Sequence, residues 1–388
     1  MKSVVVANGR RTATIIFALC LVGVVAAGTF IALAAQEAIL DSRSGSVSEA
    51  ILDPSAPGFR AFTEATPTVL VAHTSQTISG ELVGATILTP ADASIGGTVI
   101  TVQSTFRADS SSPSLRDLFA RGGLDAVASA LGEAIGAGFT STIALDGASW
   151  ASLIGDDLPV TLTLRTDLVD TQGDVGQVVV LAGTREFEGD EIADIVTHQN
   201  SSEPSLGVAL RHQEVWRAWI SQTQDSTDQT ALVEFDAGFA DVFAALENGE
   251  VSFRTIPTVT LATDATENTT YLANESAIET LFAQIVPFPN EIVPGNRPPV
   301  LLLDSTRGEV PSGPFAEAIT RSGGRVTILG NTTDEPEVAN RVQFHDPAGA
   351  ELARGIGRAL GVTDVEEVPV DDATTSVTVI IGAPIAGS

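Results

Sequence analysis

Residues 12–35 (TATIIFALCLVGVVAAGTFIALAA) form one uncharged apolar run. As a helix rising about 1.5 Å per residue it spans roughly 36 Å, enough to cross a hydrocarbon core of about 30 Å. Lys2, Arg10 and Arg11 precede the run, while Glu37 and Asp41 follow it. That asymmetry places the short N-terminus in the cytoplasm and the long C-terminal part outside. A cleaved signal peptide, with Ala32-Leu33-Ala34 as its small-residue site, is the alternative. The run exceeds a usual signal core, which favours an anchor. Both readings export the chain.

After the run, residues 36–66 mix Ser, Pro and Gly around Asp53-Pro54-Ser55-Ala56-Pro57-Gly58 and predict a spacer. From residue 68 the pattern becomes that of a packed α/β domain. Runs at 68–72, 83–88 and 97–103 predict strands. Leu124, Val127, Leu131 and Ile135 recur on one face of a helix. Short β-type runs follow at 160–164 and 178–181, then helices from residue 190 and over 206–221. A helix near 239–246, a strand near 258–262 and a helix over 276–285 come next. The prolines from Pro287 to Pro299 fix φ and remove donors, predicting an extended linker at a domain boundary. Beyond it the chain predicts a small α/β domain of two similar halves, with strands at 300–303, 325–329, 341–344 and 376–381 and helices over 313–321 and 348–360.

Composition narrows the chemistry. The 388 residues leave room for two domains beyond the anchor, and the net charge of −29 argues against nucleic acid or an anionic membrane surface held by a basic patch. The lone cysteine, Cys20, lies in the apolar run, so the exported part has no thiol for a disulfide, a metal or a nucleophile. His73, His198, His212 and His345 lack ligand spacing and read as structural or solvated. The acids Glu186, Glu188, Asp190, Glu191 and Asp194 read as a solvated helix start, Asp156-Asp157 as a loop, and Gly122-Gly123 as too short for a phosphate loop.

Several stretches carry a family resemblance. Val300-Leu301-Leu302-Leu303-Asp304-Ser305-Thr306, Ser322-Gly323-Gly324, Val342-Gln343-Phe344 and Val377-Thr378-Val379-Ile380-Ile381-Gly382 resemble the LytR C-terminal domain of Gram-positive envelope proteins. Where that family has Leu-Asn-Gly, this chain has Leu303-Asp304-Ser305. Upstream, residues 181–193 (LAGTREFEGDEIA), Arg211-His212-Gln213-Glu214-Val215 and the run from Leu145-Asp146 to Leu158-Pro159-Val160 resemble a divergent LytR-CpsA-Psr (LCP) domain. The resemblance implies an LCP-like α/β/α domain with a central mixed sheet, plus a small C-terminal α/β domain, after one N-terminal transmembrane helix. Its expected layout is a cytoplasmic tail (1–11), helix (12–35), spacer (36–66), LCP-like domain (67–286), Pro-rich linker (287–298) and LytR C-terminal-like domain (299–388).

Enzymes of that family resemble phosphotransferases that move a glycopolymer from polyprenyl pyrophosphate to the cell wall. Such chemistry asks for arginine forks on the pyrophosphate, a carboxylate-held divalent cation and an apolar cavity for the lipid. The family's Pro-Arg-Asp falls near Gln103-Ser104-Thr105, with Arg107 expected on the same side of the strand as Thr105. The family's Arg-x-Arg falls on Thr197-His198-Gln199 and a further arginine on Val208, leaving Arg211 one turn on. The resemblance therefore makes Arg107, Arg211, Gln213, Arg165 and Arg185 candidates for binding pyrophosphate or glycopolymer, with no catalytic residue and no metal ligand assigned. Three readings stay open. In one, a non-catalytic or weakly catalytic envelope protein binds wall glycopolymer, a lipid-linked precursor or an envelope partner, and needs no cofactor. In another, an active phosphotransferase uses Mg2+. A docking module alone is a third. All three imply a single-pass cell-membrane protein with an extracytoplasmic body and no nucleic-acid partner.

Overall fold

The computed structural model describes residues 51–385, apart from 76–79, 92–94, 156–158, 171–175, 201–202, 224–234, 264–268, 294, 334–336 and 370–373. The apolar run at 12–35 lies outside these residues, as do the segment 36–50 and Asp156-Asp157. Among the described residues, no helix is long and apolar enough to cross a membrane.

The first strand, β1 (Arg60–Phe62), pairs with residues far along the chain, and is taken up below. The chain then enters a five-stranded sheet through β2 (Val69–Thr74), β3 (Leu82–Pro90) and β4 (Gly97–Gln103). These three strands are antiparallel neighbours and are buried on both faces, so they read as continuous apolar runs. A turn at Ser104-Thr105 ends β4, and β5 (Phe106–Arg107) leaves for another sheet. The expected single strand from Gln103 to Arg107 is therefore broken, and its alternation does not carry across the turn.

Helix α1 (Leu115–Ile135) starts on a Ser114/Asp117 capping box and bends at Gly123, whose φ of 65° suits glycine. Next come β6 (Ser141–Leu145), parallel to β2, and α2 (Gly147–Ile154), capped by Asp146. Strands β7 (Val160–Leu164), β8 (Leu168–Asp170), β9 (Gln177–Val180) and β10 (Gly183–Phe187) make two small ribbons, β7 with β10 and β8 with β9. Helices α3 (Gly189–Thr197), α4 (Ser205–Thr223) and α5 (Ala237–Glu247) follow. Strand β11 (Val251–Thr255) closes the sheet beside β4 in the order β11-β4-β3-β2-β6. Strands β12 (Thr258–Thr263) and β13 (Thr269–Ala273) join β5, and α6 (Glu275–Ile285) ends this half.

Alternation sorts the sheet's side chains. Val69, Val71, Leu88 and Val99 face α2, α3, α4 and α5, while Leu70, Ala72, Ile87 and Ile100 face α1 and α6. The result is a three-layer α/β/α arrangement around a mixed sheet.

The C-terminal sheet is built from β14 (Pro299–Asp304), β15 (Arg325–Asn331), β16 (Arg341–Phe344), β17 (Val365–Glu367) and β18 (Val377–Ile381), with α7 (Gly313–Arg321) and α8 (Gly349–Leu360) on one face. Its order is β1-β15-β14-β18-β16-β17, so β1 supplies the edge strand beside β15. Residues read as spacer are thus stitched to this sheet. Thr63 donates to Thr327 and Val326 carbonyls, Asn331 N donates to Phe59 O, and the Asn331 amide donates to Ala56 O. An unpaired strand edge offers such partners to any nearby backbone. Thr66 N donates to Phe288 O at 2.7 Å, tying the same segment to the proline-rich stretch. Residues 53–388 form one compact unit.

Candidate functional site

At one end of the first sheet, three residues stand in register on adjacent strands: His73 on β2, Gly84 on β3 and Gln103 on β4. Helix α4 lays His212 over Gly84 so closely that an added Cβ would meet its Cε1 at 2.9 Å. His212 Nε2–H donates to Val196 O (2.8 Å), which leaves Nδ1 as a bare lone pair. His73 Nε2 lies 2.8 Å from Thr86 Oγ1, which also accepts from Trp216 Nε1 at 3.0 Å. The two imidazoles sit 4.4 Å apart. Burial, with the Arg211 charge, pushes His212 down to about 3. Burial, then the neighbouring His212, pushes His73 well below its ordinary value. Both rings are therefore neutral at pH 7. The space behind them is filled, not hollow. Trp150, Trp216, Phe239 and Phe243 are fully buried there, and Trp219 lies 4.4 Å from the Phe243 ring.

Cations approach the same end but arrive already paired. Arg116, in the first turn of α1, donates to Ser104 Oγ (3.1 Å) and Gln199 Oε1 (2.7 Å) and pairs with Glu81 at 3.2 Å. Gln199 in turn donates to Glu203 O. Glu203 pairs with Arg211, whose other nitrogens donate to the Ile195 and His198 carbonyls at the end of α3. Two arginines and two glutamates thus neutralise one another within a single network. Next to Ser104, Thr105 Oγ1 lies 2.6 Å from Ser205 Oγ on α4. Arg107 is half-buried on β5 and has no ion pair or hydrogen-bond partner among the described residues.

The other sequence candidates lie elsewhere. Arg185, on β10, pairs with Glu191 and covers the Phe187 ring at 4.0 Å. Arg165 is exposed just past β7, and Gln213 is buried on α4. So Arg107 and Arg211 come to one end of the sheet, while Arg165 and Arg185 sit on the β7–β10 side. Arg116, Glu81 and Glu203 were not among the sequence candidates. The Ser114/Asp117 capping pattern, which fixes Arg116 in a first helical turn just after the β4–β5 turn, was the one available signal. His198 bonds Val169 O, and His345 bonds Val368 O and Thr378 Oγ1. Glu188 and Glu191 form the capping box of α3. Among the described residues, no group of three His, Cys, Asp or Glu side chains is arranged to hold a metal.

Fold and site define a mixed α/β protein with a neutralised polar cluster at one end of its five-stranded sheet. No protein-family model matches the chain, and no curated protein matches it in sequence. Among solved structures, B. subtilis TagV is 9% identical, with a TM-score of 0.45 over 57% of this chain and 96% of its own. B. subtilis TagT is 13% identical, with a TM-score of 0.43 over 63% of this chain and 96% of its own. The LytR-CPS2A-psr family protein YwtF (TagT) with bound octaprenyl pyrophosphate lipid is 13% identical, with a TM-score of 0.41 over the same shares. These values describe a distant likeness of chain path only.

Proposed function

We propose that this chain is a membrane-anchored, extracytoplasmic cell-envelope protein that binds wall glycopolymer without transferring it. The observation that carries the reading is the internal neutralisation of Arg116 by Glu81 and of Arg211 by Glu203. A pyrophosphate entering there must displace those carboxylates, and breaking the more buried of the two pairs, Arg211 with Glu203, costs about 3–5 kcal/mol. The aromatic layer adds a second obstacle. Trp150, Trp216 and Phe243 pack between the sheet and its helices, the kind of layer in which the LCP resemblance would seat a polyprenyl tail. The extracytoplasmic placement rests on the apolar run and its flanking charges, and the glycopolymer on the LCP resemblance. The unpaired Arg107 favours the alternative, an active Mg2+-dependent phosphotransferase. Incubating the full chain, in detergent, with a polyprenyl-pyrophosphate-linked glycan and Mg2+ separates the two. Polymer binding with no release of polyprenyl phosphate is expected; steady transfer or hydrolysis abolished by Arg107→Ala defeats the proposal.

A further inference from the structure

A groove of about 690 Å³ runs between β7 and the outer face of α4, away from the neutralised cluster. Along β7, alternation sends Val160, Leu162 and Leu164 into the core and leaves Thr161 and Thr163 exposed, with Arg165 just beyond. Helix α4 contributes Arg217, Ser221 and Gln222 from the opposite side. Arg217 is held in place, stacked over the Phe253 ring at 4.7 Å and paired with Glu214 at 2.8 Å. Arg165 has no ion pair or hydrogen-bond partner among the described residues. Arg165 and Arg217 against Glu214 leave this lining at +1, on a chain whose net charge is −29. Glu186, opposite Thr161 on β10, stands at the rim.

The polar groups are of the kind that suits a hydroxylated ligand. Thr163 Oγ1 lies 2.8 Å from Thr184 Oγ1, and Gln222 Nε2 donates to Pro159 O, which leaves Gln222 Oε1 as an acceptor. An unpaired guanidinium beside hydroxyls and an amide acceptor matches a sugar or polyol bearing one acidic group. The volume is that of a small-molecule site, enough for a short polymer segment. We propose that this groove binds an acidic repeat of a glycopolymer, its phosphate or carboxylate on Arg165 and its hydroxyls on Thr161, Thr163, Ser221 and Gln222. The inference rests on the polymer-binding reading above and gives it a location.

Binding is measured by fluorescence anisotropy on the full chain in detergent, with labelled poly(glycerol phosphate), polygalacturonate and dextran as probes. Poly(glycerol phosphate), polygalacturonate or both are expected to bind, and which one does identifies the acidic group; dextran is expected not to. Arg165→Glu, an exposed change that leaves the core intact, is expected to weaken that binding at least about tenfold, as loss of one charge-assisted hydrogen bond requires. Arg354→Glu, on the exposed side of α8, is expected to change nothing. Wild-type binding that Arg165→Glu leaves intact overturns the groove and spares the polymer reading. Failure of the wild type to bind either acidic probe, or equal binding of dextran, overturns both.

Discussion

Arg297 joins the two halves of the molecule by capping two helices at once. Its Nη1 donates to the Thr320 carbonyl in the last turn of α7 and to the Gly324 carbonyl just before β15, both at 3.0 Å. Its Nη2 donates to Gly136 O at 2.5 Å, at the end of α1. The last carbonyls of a helix carry the negative end of its dipole, so one guanidinium is favoured by both ends at once. Three bonds to a charged donor, at about 1.5 kcal/mol each, sum to roughly 4–5 kcal/mol before costs. Burial pulls the Arg297 pKa below its ordinary value, so desolvation takes back part of that gain. Arg297→Ala should therefore lose about 2–4 kcal/mol. Arg321→Ala, which removes an exposed pair 3.6 Å long, should lose no more than about 0.5 kcal/mol. Urea unfolding of the full chain has two separable probes. All three tryptophans, Trp150, Trp216 and Trp219, lie in the first half, whereas far-ultraviolet circular dichroism sees both halves. The wild type should give coincident curves, and Arg297→Ala should lower the midpoint and pull the two apart. A variant whose curves coincide, within about 0.5 kcal/mol of wild type, refutes the clamp.

Acid should weaken the fold through His73 and His212. Unfolded histidines take up protons below pH about 6.5, but the buried rings resist, His212 down to about 3, so stability falls as pH drops from the first value toward the second. The slope is about 1.4 kcal/mol per pH unit for each ring; a His212→Gln variant as acid-sensitive as wild type between pH 6.5 and 5 counts against it. Arg211→Ala, which strips Glu203 and two carbonyls of their donor, should cost about 3–5 kcal/mol and leave polymer binding by the folded protein unchanged. Lost binding at unchanged stability makes Arg211 a ligand contact instead. Gly84→Ala should cost about 1–3 kcal/mol because its Cβ would press on His212; wild-type stability would place that ring elsewhere.

The packed strands were legible because burial on both faces leaves an unbroken apolar run, and β4 falls on residues 97–103 as the pattern predicted. Helix α8 was as plain, its Leu352, Ala353, Ile356 and Leu360 marking one face. Strand β1 was not legible. Phe62 is 86% exposed, so its large apolar side chain marks no buried face, and the strand pairs with the edge that β15 offers. For the site, residue type found Arg211 but missed Arg116 and the two glutamates that neutralise this pair of arginines. Glu81 lies just before β3 and Glu203 in the stretch before α4, and neither position announces its partner. Trp150 read as a family echo in the sequence, yet its consequence is steric, since with Trp216 and Trp219 it fills a layer that sequence order leaves undefined.

The inward turn of Arg211 has a physical cause. Clustered cations repel one another and stay open for an anionic ligand, because no single carboxylate neutralises them all. Where the LCP resemblance asks for arginine, this chain has Val208, fully buried, and Thr197-His198-Gln199. Arg211 then has only Arg116 as a cationic neighbour in the network, and each finds its own glutamate. A lone cation on a chain with 49 acids and 20 bases is readily satisfied from within. An arginine left unpaired in such a chain is therefore more informative than a paired one. Arg165 meets that description most fully among the candidates, since the charge of Arg107 is felt by the Asp117 carboxylate, and Arg165 lines a groove that carries hydroxyls. If the protein holds a polymer, the physics favours that groove over the site the family resemblance would nominate.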